Sequence, residues 1–138
     1  MRAKDTPNFI ANRIGTFAMM RTLAVAVAEG YTVEEVDMVF GPATGKPKSG
    51  VFRTADVVGL DTMAHVIKTM RDTLPDDPWH AHFASPPVLD ALIAKGALGQ
   101  KTRAGFFRKV GKDIEVLDPR RRRIGCPTAR SRRKWRNC

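Results

Sequence analysis

Apolar side chains recur three and four positions apart from residue 8 to residue 29: Phe9, Ile10, Ile14, Phe17, Met20, Leu23, Ala24 and Val27. That stripe predicts a packed helix. Its other side is apolar as well, through Ala18, Met19, Val25, Ala26 and Ala28. A helix apolar all round needs cover from two directions, so a second subunit or domain is expected against it. Gly30 is a good terminator, because glycine accepts the left-handed conformation just past a helix.

Thr32 and Glu35 have the spacing of a capping box, which starts a second helix over about 33–40. The run "GPATGKPKSG" then breaks regular structure with three Gly and two Pro. A short helix follows through Phe52, Ala55, Val57 and Val58. Asp61 is expected to N-cap the next, which carries Met63, Val66, Ile67, Met70 and Leu74. "PDDPWHAH" reads as a loop. Ser85 and Pro86 start a helix with Val88, Leu89, Leu92 and Ile93 on one face, stopped by Gly96. "GFFRKV" and "DIEVL", separated by Gly111-Lys112, predict a hairpin. The expected fold is all-α, a bundle of about five helices with a short C-terminal β-hairpin and no internal repeat.

At 138 residues, one domain is expected. The net charge of +10 suggests nucleic acid until it is divided along the chain. Nine of the 24 Lys and Arg lie in residues 119–138, which contain no acid, while residues 1–118 sum to +1. The division is therefore a nearly neutral body, 1–118, and a basic tail, 119–138, expected to be disordered. Cys126 and Cys138 both lie in the tail and are read as free thiols. No signal-peptide pattern is present, and the longest apolar stretch, Ile14 to Ala28, is interrupted by Arg21 and too short for a span. A cytoplasmic protein without membrane contact is expected.

The body offers little chemistry of its own. It has no GxGxxG after a strand and no GxxxxGK[ST], hence no phosphate-cradling loop. His80 and His82 lack a third metal ligand nearby, so no metal is expected, and His65 falls on the polar side of its helix. Asn12 stands out: an amide at a core-facing helical position has donors and acceptors to satisfy. It either bonds to local backbone or faces a site. Arg13 beside it is read as the partner of an acid.

Three stretches carry a resemblance. "KDTPNFIANRI", "GPATGKPKSGVFRTADVVGLDT" and "GQKTRAGFFRK" occur in this order. Residues 3–118 thereby resemble the C-terminal domain of 3-hydroxyacyl-CoA dehydrogenases, most closely the bacterial fatty-acid oxidation form. The resemblance implies a helical domain of the 6-phosphogluconate dehydrogenase C-terminal kind. It implies a homodimer contact, and packing against a separate Rossmann domain that holds NAD and a catalytic His–Glu pair. Asn12 matches the family's cleft Asn, near the catalytic His and the substrate's 3-oxygen, which would make it a catalytic residue. Lys101 matches a Lys that reaches the bound NAD. Two positions depart from the family pattern: Asn8 replaces the Gly of P-G-F, and Arg103 replaces the Gly after K-T.

The resemblance thus implies part of a β-oxidation enzyme acting on an acyl-CoA with NAD, and the chain alone is expected to be inactive. The alternatives are a non-catalytic helical dimerisation module, and nucleic-acid binding through the tail, which has Trp135 but no interleaved aromatics. The tail itself is read as the product of a reading-frame shift in a GC-rich gene, with an electrostatic arm as the other origin.

Overall fold

The computed structural model describes residues 5–118 and 123–125. Among these are five α-helices: α1 (Phe9–Glu29), α2 (Val33–Val39), α3 (Phe52–Val58), α4 (Leu60–Thr73) and α5 (Pro87–Ala94). A hairpin of β1 (Phe107–Val110) and β2 (Asp113–Asp118) follows, turning at Gly111, whose φ of 60° suits the tight reversal. The expected all-α bundle with a terminal hairpin is the fold observed. The expected disordered tail falls outside the described residues, except for Arg123–Gly125. Their backbone forms β3, antiparallel to β2, where no strand was expected.

Local chemistry explains several boundaries. Thr32 and Glu35 close the capping box on α2: the Glu35 amide donates to Thr32 Oγ1 at 3.2 Å, and the Thr32 amide donates to Glu35 Oε2 at 2.9 Å. Gly30, at φ 74°, ends α1 as expected. Two expected starts are corrected. Gly59, not Asp61, is the N-cap of α4. Its φ of 99° lets the chain pass directly from α3 into α4, leaving Asp61 inside the first turn. Likewise α5 begins at Pro87 with Pro86 before it, and the Ser85 hydroxyl donates to the Asp90 carboxylate rather than capping the helix backbone.

The core gathers Leu23 and Ala26 of α1, Val33 of α2, Phe52 of α3, Leu60 and Ile67 of α4, and Leu89 of α5. Phe106 and Leu117 close it from the hairpin side, with the Phe52 and Phe106 rings 4.8 Å apart. The first helix departs from expectation in its burial. Met20, Leu23 and Ala26 are buried, but Phe9 is 70% exposed and Ile14 63% exposed. Ile10, Val25 and Val27 are exposed as well. The stripe is real; within this chain only its middle is covered.

Candidate functional site

Asn12 lies in the first turns of α1 and is exposed, not core-facing as its sequence position suggested. Its neighbours Phe9, Ile10 and Ile14 are exposed too. No hydrogen bond among the described residues uses the Asn12 side-chain amide. Arg13 pairs with Asp77, as expected of it. The Asp77 side chain is buried and also accepts the Trp79 amide at 2.7 Å. Burial opposes its charge, but the Trp79 amide and the Arg13 guanidinium outweigh that and hold it below the usual carboxylate range.

Lys101 sits in a 3₁₀ turn, Gln100–Thr102, and its ammonium lies 2.5 Å from Asp61 Oδ2. Both side chains are about half exposed. The hydrogen bond from Lys101 lowers the Asp61 pKa. Among the described residues no hydrogen bond or ion pair joins Lys101 to Asn12. His65 is exposed; His80 bonds through Nδ1 to the Leu74 carbonyl at 3.0 Å, and His82 packs on Trp79 and Phe17. Among the described residues no group of three or more His, Cys, Asp or Glu could hold a metal ion. No helix among them is long and apolar enough to cross a membrane.

Two carboxylates anchor the second sequence motif, one from outside it and one by tying it to the third. Asp37 of α2 accepts the amides of Val51 and Phe52 at 2.7 Å and that of Arg53 at 3.0 Å, satisfying the start of α3. Asp56 of α3 is buried and accepts the Phe106 amide at 2.9 Å and the Phe107 amide at 2.8 Å. Burial pushes Asp56 above the ordinary carboxylate range against the pull of those two amides, and the Asp37 charge adds to the rise. Glycines make room for both. A Cβ on Gly50 would lie 2.7 Å from Asp37, and one on Gly105 would lie 2.6 Å from Asp56 Cγ. A Cβ on Gly99 would lie 2.9 Å from the Asp56 carbonyl carbon and closer still to its oxygen.

The pattern of the 3-hydroxyacyl-CoA dehydrogenase C-terminal domain matches residues 9–109. The chain belongs to that family. A probable 3-hydroxyacyl-CoA dehydrogenase of Bacillus subtilis is 49% identical over 117 residues, covering 85% of this chain and 15% of the relative. The human mitochondrial hydroxyacyl-coenzyme A dehydrogenase is 30% identical over 105 residues, 76% of this chain and 32% of the relative. Among solved structures, FadB2 of M. tuberculosis aligns with a TM-score of 0.69 at 28% identity, over 80% of this chain and 37% of that one. The chain therefore spans between 15% and a third of the length of these curated relatives.

In a 3-hydroxyacyl-CoA dehydrogenase C-terminal domain, the two departures from the family pattern acquire a common cause. Asn8 has φ 64° and Arg103 has φ 57°, both left-handed. Glycine is the natural occupant of such positions, and Asn is the side chain that tolerates them best. Arg103 is the costlier substitution. The carboxylates at 37 and 56 were missed by the sequence reading. Their partners are backbone amides far along the chain, which leave no mark on residue type.

Proposed function

We propose that this chain serves as the C-terminal domain of an NAD-dependent 3-hydroxyacyl-CoA dehydrogenase of fatty-acid β-oxidation in the cytoplasm. The observation that carries the reading is the start of α1, where the Asn12 side chain has no hydrogen-bond partner among the described residues and stands exposed beside exposed Phe9, Ile10 and Ile14. An apolar surface of that kind marks an association site, and a free amide at its centre suits a cleft against a Rossmann domain. Family membership supports the same assignment.

In the complete enzyme NAD would accept hydride from C3 of a 3-hydroxyacyl-CoA. Asn12 would donate from Nδ2 to the substrate's 3-oxygen, where charge develops, or accept from the catalytic imidazole through Oδ1 and fix its orientation. The Arg13–Asp77 pair, anchored by the Trp79 amide, would hold that turn of α1 against the bundle. Lys101 would exchange Asp61 for NAD; as an exposed pair in water, the Lys101–Asp61 contact offers little resistance. We further propose a homodimer through residues 14–28 of α1. The apolar groove between α1 and α2, where Val25, Tyr31, Met38 and Val39 are exposed, supports this surface.

The test is a graft of this chain in place of the matching segment of the Bacillus subtilis relative. The graft is expected to oxidise NADH with acetoacetyl-CoA, and the chain alone to show no turnover. Asn12→Ala in the graft is expected to lower kcat by about 10²-fold with folding unchanged by circular dichroism. A folded graft in which Asn12→Ala leaves kcat intact refutes the role.

A further inference from the structure

Beside the Asp56 joint lies an open groove of about 720 Å³ between α3, the 99–105 turn and the hairpin. Arg53, Gln100, Arg103 and Lys109 supply its polar lining, Phe107 and Ile114 the apolar part. The Arg53 guanidinium stacks over the Phe107 ring at 4.7 Å from its centroid. Asp56 is the carboxylate in the groove, and both its oxygens are committed to the amides of Phe106 and Phe107. Among the described residues no carboxylate pairs with Arg103 or Lys109. Arg53 is balanced by the charges of Asp56 and Asp37, which leaves Arg103 and Lys109 as the groove cations that no carboxylate among the described residues pairs.

The backbone supplies an independent observation. The turn is closed by the Gly99 amide donating to the Ala104 carbonyl at 2.7 Å and by the Arg103 amide donating to the Gln100 carbonyl at 3.0 Å. That closure forces residue 103 into the left-handed region, at φ 57°. A glycine would sit there without strain, yet the position carries an arginine directed into the groove. Strain held at a ligand-facing position points from the outlier to a function.

We propose that this groove binds a phosphorylated anion, with Arg103 and Lys109 holding phosphate oxygens and the Arg53–Phe107 stack forming the adjoining wall. Guanidinium groups suit such oxygens through paired, charge-assisted hydrogen bonds. Neither Asn12 nor the Lys101–Asp61 pair lines this groove, and the proposal does not depend on the dehydrogenase reading. A free phosphate compound and the head of a nucleotide share this chemistry.

The experiment is a residue-resolved NMR titration of the full 138-residue chain with inorganic pyrophosphate, and separately with adenosine 3′,5′-bisphosphate, at about 0.15 M salt. Saturable shifts are expected in the amides of Gln100–Ala104 and Lys109–Ile114. Arg103→Gly is expected to weaken binding by about tenfold or more, while raising Tm by roughly 2–4 °C through relief of the strain. Arg103→Lys, which keeps the charge, is expected to retain most of the affinity, and Lys109→Ala to lose part of it. Tighter binding of the nucleoside bisphosphate assigns the groove to a nucleotide head, and equal binding to a bare phosphate; either supports the site. Shifts confined to residues 119–138, or groove shifts unchanged in Arg103→Gly, overturn it.

Discussion

Replacing Gly105 with alanine tests how the third sequence motif is built into the fold. Gly105 does not have a positive φ, so alanine there adds no backbone strain of its own. The effect is steric: the new methyl overlaps the Asp56 carboxylate, lying 2.6 Å from Cγ, and is 2.8 Å from Gly99 Cα on its other side. Asp56 cannot yield without abandoning the Phe106 and Phe107 amides. Hydrogen bonds to a charged group contribute about 1.5–3 kcal/mol each, and a buried carboxylate left without them adds a desolvation cost. Retreat of the turn would recover part of this, so a loss of about 3–5 kcal/mol is expected. Against typical stabilities of about 5–15 kcal/mol, that is a severe lesion. Urea unfolding followed by circular dichroism should show the midpoint falling by about 2 M, for a slope of about 1.5–2 kcal/mol per M. Gly15→Ala is the control. It lies inside α1 with no atom near its would-be Cβ, and is expected to gain about 0.5–1 kcal/mol. A Gly105→Ala midpoint within about 0.3 M of the parent protein would refute the Asp56 joint.

Asp77→Asn is expected to cost about 2 kcal/mol, discounted because Arg13 is partly exposed, as measured by thermal unfolding. Because the folded-state pKa of Asp77 is depressed, its ionisation stabilises the fold above the ordinary carboxylate range. That share is lost as pH falls through the depressed value, so the acid limb of the stability profile should flatten in Asp77→Asn. Lys101→Ala should leave the thermal midpoint unchanged, because its pair with Asp61 is exposed, yet raise KM for NADH in the grafted enzyme; an unchanged KM counts against contact with NAD. Light scattering is expected to report a dimer, and Val25→Glu with Met38→Glu a monomer that remains helical; a monomer mass for the parent at high micromolar concentration would remove the interface.

Sequence carried most of the fold because most of its signals are local. The Thr32–Glu35 box needs only four residues to be read, and Gly111-Lys112 between two alternating runs needs about as few. The α4 start was misread for the converse reason. Asp61 is a good capping residue, and nothing in its neighbourhood reveals that Gly59 adopts φ 99° and begins the helix first. Asp37 and Asp56 were invisible because their partners are backbone amides, 14 to 51 residues away, which carry no residue-type signature. Periodicity showed that α1 is apolar without showing what covers it. Asn12 was therefore assigned inward, although it stands on the open part of that helix. The candidate site was legible only through family resemblance, which pointed to Asn12 and Lys101 but not to the groove around Arg103.

The Asp56 joint also sets an order of events during synthesis. Its two amide partners are added 50 and 51 residues after it. A chain emerging from the ribosome therefore presents α3, α4 and α5 while Asp56 still has to remain in water. Helices can form locally in that interval, but burying α3 would strand a charge. Docking must wait for Phe106 and Phe107, which bring the amides and a large core ring together. Arrival of "GFF" outside the ribosome thus completes the pairing on which burial of α3 depends. A message cut just short of it would yield nearly all the helical sequence in a form that cannot settle, leaving a substrate for proteases rather than a smaller domain.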